Sequence, residues 1–449
     1  MSAIFATTAA ASLDALRRYE SSATPDEIFF ADMLERIEAA RARCVEPRRL
    51  ARHARHGAPL RVLLLSYAGA GNTGADLRTI ETIRQLSAVF ATRRLDIELF
   101  ARGNLFDHPV LAAVRKLQPL LPYAPDLLAQ AMPSYDLVLN VEGSTYTSKF
   151  SDALAALLIG GAALAAAYGR PAFAYGIDSG AMTPALTRFA QQTADGVEIL
   201  CRNEAAREAL AALGIVAQAG ADSAWTFAPR ATARVRSLGG KVAALCPANP
   251  FWWPVTPRGT AAHEGSAAPH GMPPRYAGRY FHTWDGARAL AYRGYIERFA
   301  RIAAGLRADG FTPVLIAMEQ LDRAACADIA AHVDFSMPCI ARGEATLDDV
   351  AGAVGHAACV VTTRYHAAVL AVARGIPVYG LSMDERIDRL LLEAGLAGWH
   401  TACDDPHGAA RALDALCGDA SLTRHSHTFA ERERVRFAAM GEALRAAVG

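Results

Sequence analysis

Arg364 and His366 stand two positions apart in Thr363-Arg364-Tyr365-His366-Ala367, between the apolar run 358–362 and the small-residue run 367–374. That pattern reads as a buried parallel strand, an abrupt polar turn and a helix, with Gly375-Ile376-Pro377 leading into another strand. At such an edge of an open α/β sheet, free backbone N–H groups and the helix dipole both favour negative charge. A fixed cation beside a titratable imidazole suits an acidic small molecule that also exchanges a proton.

Three more strand ends carry glycine beside polar groups. Gly69-Ala70-Gly71-Asn72-Thr73-Gly74 has GxGxxG spacing between a strand and a helix, so an anion or substrate can approach backbone N–H groups at Gly71 and Asn72. A dinucleotide site also expects an acid after the second strand, where this chain carries Arg102. An oxidoreductase using NADP is therefore a distant alternative. The run 136–146 places Glu142 at a strand end before Gly143 and Ser144, as a general base or hydroxyl holder. A structural pairing of Glu142 with Lys149 is the competing reading. Asp178, after Tyr175-Gly176-Ile177, has the same two readings.

The elements that must position these residues alternate regularly. Strands are expected at 61–66, 97–101, 137–141, 171–176 and 198–202, with helices such as 76–90 and 152–168 between them. A second series runs through 242–246, 312–317, 358–362 and 378–381, with helices 287–309 and 386–395. Two such series imply an α/β protein of two doubly wound, Rossmann-like domains facing each other across a cleft. The divisions expected are a helical extension at 1–58, domains at 59–235 and 236–405, and C-terminal helices at 406–449 that pack back. The Arg-rich N-terminal helices read as a cap or a homo-oligomerisation element. Alternation lapses at 249–285, an insertion long enough for a binding loop. Its Trp252, Trp253 and Trp284, with Arg275, Arg279 and His282, would offer aromatic faces and donors to a polyhydroxylated acceptor; surface anchoring is the alternative.

Composition narrows the classes. The 449 residues carry 46 Lys plus Arg against 45 Asp plus Glu, so no basic field supports a nucleic-acid partner. The 8 cysteines form no CxxC pair and no zinc-like spacing, so no metal is expected and free thiols in a reducing compartment are. The N-terminus lacks a signal-peptide pattern, and the apolar run 153–168 falls short of a membrane span. A cytoplasmic protein with no integral membrane segment is the expectation.

With these pieces in order, the chain resembles the polysaccharide pyruvyl transferase family over about 61–396. Ser66 to Asp76 is similar to the family's opening GxxGNxGD turn, with Ala75 inserted before the acid. The run 136–144 resembles its D-apolar-GGGS segment, with Glu142 where glycine is usual. Cys201-Arg202-Asn203-Glu204 with Leu210 and Leu213-Gly214 resembles the helix that follows, and Ala221-Asp222-Ser223-Ala224 the turn after it. Thr363 to Ala367 matches its sRLHa motif. Gly375-Ile376-Pro377 and Ser382-Met383-Asp384-Glu385-Arg386 match its closing motifs, with Arg386 replacing lysine.

The resemblance implies a fold like the GT-B glycosyltransferases and transfer of a pyruvyl group from phosphoenolpyruvate onto two hydroxyls of a saccharide or polyol, forming a ketal. Phosphoenolpyruvate is then a co-substrate, and no cofactor is implied. Arg364 and His366 would be the catalytic pair, His366 moving a proton and Arg364 holding the donor's charge. Glu142 is the third catalytic candidate. Arg386 would be a second anion contact and Arg202 a third, although an ion pair of Arg202 with Glu204 at a helix start is the alternative. Gly71, Asn72, Asp76, Gly143, Ser144, Asp178, Trp252 and Trp253 are the further substrate-contact candidates. Rival expectations are a GT-B glycosyltransferase using a nucleotide sugar and a repurposed, non-catalytic family member that binds a sugar or an anion.

Overall fold

The computed structural model describes residues 13–44, 58–100, 106–117, 124–257, 275–276, 280–282, 284–418 and 424–448. Apolar runs form the strands. In the first domain these are β1 (Leu60–Leu65), β2 (Leu95–Phe100), β3 (Arg115–Leu117), β4 (Leu137–Asn140), β5 (Ser144–Tyr146), β6 (Ala172–Ser179), β7 (Glu198–Cys201) and β8 (Gln218–Ala219). They pair in parallel in the order β3-β2-β1-β4-β6-β7-β8, with β5 on β6. β4 and β6 are buried at every position, as expected for strands covered on both faces.

The second domain holds β9 (Lys241–Cys246), β13 (Phe311–Ala317), β14 (Cys339–Ala341), β15 (Cys359–Thr362), β16 (Val378–Ser382) and β17 (His400–Ala402). Their parallel order is β14-β13-β9-β15-β16-β17, the doubly wound arrangement in which the order reverses beside the first strand. Between β9 and β13 lie three short strands, β10 (Val255–Pro257), β11 (Arg275–Tyr276) and β12 (Tyr280–His282), paired antiparallel. The insertion thus contributes strands of its own. The Arg275, Arg279 and His282 side chains lie outside the described residues, as does Arg102.

The helix Asp152–Ala167 explains its own composition. Ser151 caps it, accepting from the Leu154 N–H at 3.4 Å. On one side a Cβ at Gly161 would lie 2.6 Å from Leu65, and on another a Cβ at Gly160 would lie 2.5 Å from Met33 of helix Pro25–Arg43. The Ala/Gly helix is therefore sandwiched between the sheet and an N-terminal helix whose Met33 and Ile37 are fully buried. Among the described residues, no helix is long and apolar enough to cross a membrane.

The final helix, Arg424–Val448, returns to the first domain. Phe437 packs edge-on against Tyr175 at 6.2 Å, and Phe429 against Trp225 at 5.4 Å. Arg434 donates to the Trp225 carbonyl of the first domain at 3.3 Å and to the Ala373 carbonyl of the second at 2.7 Å. One hydrophobic cluster, including Val62, Leu77, Val360 and Leu370, runs through both domains.

Candidate active site

β1 leads through Gly69 and Gly71, both at positive φ (78° and 77°), into the helix Thr73–Val89. Asn72 caps that helix, accepting from the Ala75 N–H at 3.2 Å, and donates Nδ2 to Glu319 of the second domain at 3.1 Å. The Thr73 N–H donates to the Met318 carbonyl at 2.9 Å, so backbone bonds join the domains at this turn. Opposite it, β15 leads into the helix Tyr365–Ala373, which begins at Arg364 with no side-chain cap. The His366 ring lies against Gly74; a Cβ there would come within 2.0 Å of Nδ1. Gly74 is small because the imidazole of the other domain occupies its side-chain space.

Asp222, fully buried, is the centre of the charge arrangement. Its Oδ2 receives Arg78 Nη1 at 2.6 Å and Arg202 Nη1 at 3.0 Å, and His366 Nε2 stands 3.4 Å away without hydrogen-bond alignment. Burial pushes its pKa upward, but Arg78, His366 and Arg202 together hold it well below the usual carboxylate value. Arg78 completes its fork on the carbonyls of Val141 (3.0 Å) and Tyr175 (2.9 Å). Arg202 also binds Asp178 through Nε (3.0 Å) and Nη2 (2.7 Å) and lies 3.8 Å over the Tyr365 ring. Burial lowers the His366 pKa and outweighs the upward pull of Asp222, with a smaller contribution from the nearby Arg202 and Arg78 guanidiniums, so the imidazole titrates below its ordinary value and favours the neutral form.

One cleft of about 870 Å³ unites much of the predicted set. Asn72, Gly74, Glu142, Ser144, Trp253, Glu319, Arg364, His366 and Arg386 all line it. Glu142 accepts from the Ser144 N–H at 3.4 Å through Oε1, while its Oε2 is buried without a hydrogen-bond partner. Arg386 grips Asp384 through Nε (2.8 Å) and Nη2 (2.6 Å) and donates Nη1 to Ser144 Oγ of the first domain at 3.0 Å. Burial opposes ionisation of Asp384, yet Arg386 holds it down at about 2.

Several expectations change. Arg364 is not a free cation: Nε donates to Asp322 Oδ2 at 2.9 Å, Nη2 to Oδ1, and Nη1 pairs with Glu319 at 2.9 Å. Burial still raises Asp322 to about 6 against that pairing. Arg202 does not pair with Glu204, which binds Arg207 instead at 2.9 Å; it turns inward beneath Gly143, where a Cβ would lie 2.8 Å from Nη1. Lys149 does not meet Glu142 but donates to the Met383 carbonyl at 3.2 Å. Asp76 is fully buried, accepting from the Gly69 N–H at 2.9 Å and from Arg342 across the domain seam. Burial raises it to about 7 despite Arg342. Gly71 faces a separate hollow beside Arg342. Trp252, 3% exposed, packs into the first domain's core, where burial rather than ligand contact decides its surroundings. Trp253 does reach the cleft, edge-on to Phe150 at 5.0 Å.

Arg78, Asp222, Glu319, Asp322 and Arg342 were not among the residues expected at the site. Asp222 had a usable signal, a lone acid in a short turn after an apolar stretch. Arg78 had none, since an arginine one turn into a helix ordinarily faces solvent. Among the described residues no cluster of three or more His, Cys, Asp or Glu is placed to hold a metal.

Solved structures share this architecture at low sequence identity. A UDP-N-acetylglucosamine 2-epimerase of Listeria monocytogenes aligns with TM-score 0.50 and 11% identity, covering 86% of this chain and 97% of its own. The Methanocaldococcus jannaschii UDP-GlcNAc 2-epimerase gives 0.50, 11%, 84% and 98% in the same terms. HepE of Anabaena, solved with UDP-glucose, gives 0.51 and 13%, covering 86% and 98%. These likenesses establish the two-sheet GT-B fold alone. No curated protein matches the sequence significantly. The sequence model of polysaccharide pyruvyl transferases, however, matches residues 80–385, a span that begins within the first turn's helix and ends one residue before Arg386, and the chain belongs to the polysaccharide pyruvyl transferase family.

Proposed function

We propose that the chain transfers the pyruvyl group of phosphoenolpyruvate to two hydroxyls of a saccharide, giving a ketal and inorganic phosphate. In that reaction the C2–O bond to phosphate breaks and two C–O bonds form at C2. Of the two hydroxyl protons, one ends on C3, turning methylene into methyl, and the other leaves with phosphate. The observation that carries the reading is the pairing in one cleft of a neutral imidazole, His366, with a carboxylate that keeps an unpartnered oxygen, Glu142. Two proton acceptors suit a reaction with two hydroxyl protons to remove.

The donor's anionic groups find two kinds of partner. Arg386 can exchange its Ser144 contact for a phosphate or carboxylate oxygen while Asp384 keeps it oriented. The uncapped start of the helix Tyr365–Ala373 offers backbone N–H groups. Arg364, held by Asp322 and Glu319, serves in this reading as a positioning residue that fixes the turn bearing His366.

The test is incubation with phosphoenolpyruvate and a panel of methyl glycosides, following phosphate release and product mass. Release accompanied by the mass gain of one pyruvyl ketal supports the reading. Silence across the panel, together with tight binding of UDP-glucose, would replace it with nucleotide-sugar chemistry.

A further inference from the structure

Among the 8 cysteines, Cys326 and Cys339 meet at the outer edge of the second domain. Cys326 lies on the helix Arg323–Ala330 and is 1% exposed, whereas Cys339 opens the edge strand β14 and is exposed. Cys326 packs in one hydrophobic cluster with Met337 and Ala341, which flank Cys339 in the chain, and with Leu315, which is paired with Cys339 on β13. Both thiols are free, and the Cys326 S–H donates a hydrogen bond to the Cys339 sulfur.

That contact gives the two thiols different characters. The hydrogen bond from Cys326 holds Cys339 below its ordinary pKa, with help from Arg323 and against burial and Glu344. The same bond, together with burial, pushes Cys326 well above its own. Burial raises Cys201, Cys246, Cys359, Cys403 and Cys417 as well. The thiolate is the nucleophile, so an accessible thiol of lowered pKa beside a second thiol is an oxidant-sensitive arrangement.

The pair also sits between two contacts of the domain seam. The helix bearing Cys326 follows directly on Glu319 and Asp322, the carboxylates that hold Arg364. Just past Cys339, after Ile340 and Ala341, Arg342 binds Asp76 of the first domain.

We propose that Cys326 and Cys339 form a reversible oxidation site, joined as a disulfide by hydrogen peroxide and restored by a dithiol. The Cys339 thiolate attacks one peroxide oxygen and displaces hydroxide, which takes up a proton and leaves as water. The Cys326 sulfur then attacks the sulfenic acid formed at Cys339, and its proton departs with the hydroxyl as a second water. Two thiols have lost two electrons in all, and one peroxide has gained them. The bond ties the segment that holds Arg364 to the segment that holds Asp76, whatever reaction the cleft performs.

Trypsin leaves both cysteines on the single peptide 324–342, because no Lys or Arg stands between Arg323 and Arg342. The reduced full-length chain would be exposed to limiting hydrogen peroxide at neutral pH, quenched with N-ethylmaleimide under denaturation, digested without reduction and read by mass spectrometry. The peptide should be lighter by two hydrogens, carry no maleimide and regain both thiols with dithiothreitol. It should oxidise at least about tenfold faster than Cys417, the other exposed thiol. Cys339→Ser should leave Cys326 reduced at the same dose, and Cys326→Ser should halt Cys339 at a sulfenic acid that dimedone traps. Oxidation should leave the melting temperature unchanged or higher, as a crosslink of native geometry does. The proposal fails if the peptide stays reduced, if Cys339 reaches a sulfinic acid while Cys326 still takes maleimide, or if Cys417 oxidises as fast. It fails equally if Cys326 is oxidised as readily in Cys339→Ser, or if the disulfide lowers the melting temperature.

Discussion

Replacing Asp222 with asparagine tests the charge arrangement beneath His366. The substitution conserves shape and retains the oxygen that accepts from the Ala224 N–H at 2.9 Å. It removes the negative charge from between Arg78, Arg202 and His366 in a fully buried setting. Breaking one partner of a buried ion pair costs about 3–5 kcal/mol. Arg78 keeps two carbonyl acceptors and Arg202 keeps Asp178, which places this case near the lower end, about 3 kcal/mol. Urea unfolding at pH 7 should show a lower midpoint at unchanged slope. Because the folded-state pKa of Asp222 lies below the unfolded one, its contribution is complete above about pH 4 and disappears only as pH falls through the folded value. The gap between wild type and variant should therefore be flat above about pH 6.5, because the unfolded state is common to both proteins and the folded His366 titrates below its ordinary value with Asp222 or without it. A loss under about 1 kcal/mol, or a gap that grows from pH 7 to 9, would refute this account of the cluster.

Three more outcomes follow from the same geometry. Gly74→Ala places a Cβ 2.0 Å from His366 Nδ1 and should depress phosphate release at least about tenfold, with about 1–3 kcal/mol of stability lost to overpacking; near-normal turnover would show that the imidazole need not dock there. His366 is held below its ordinary value, so the acid limb of kcat/KM should have its inflection below about pH 6.5, and one at or above 7 would assign the base elsewhere. Trp252→Ala should destabilise the fold by about 3–5 kcal/mol while leaving acceptor KM unchanged, because Trp252 packs in the core; a raised KM at full stability would return it to the site.

Much of the architecture was legible in the chain because parallel strands buried on both faces must be nearly continuous apolar runs. β1, β4, β6, β9, β13, β15 and β16 all follow from such runs. β3, β8, β14 and β17 do not, being two or three residues long, and the register of a neighbouring strand rather than their own composition makes them strands. The Ala/Gly run 153–168 was readable as a buried helix from its length, but not that Met33 would cover it.

At the site, sequence alone determined where backbone turns and candidate chemistry would fall: Arg364 and His366 after β15, Glu142 and Ser144 after β4, Asn72 after β1. Local propensity and hydrophobic pattern are enough to place residues at the strand edge where α/β proteins bind ligands. Tertiary structure alone decided which charges remain available. Arg364 meets Asp322 and Glu319, Arg202 meets Asp178 and Asp222, and Arg386 reaches across to Ser144, pairings between residues far apart in the chain. Burial makes every charge seek a partner, and the identity of that partner depends on how two domains close together, which no local pattern encodes.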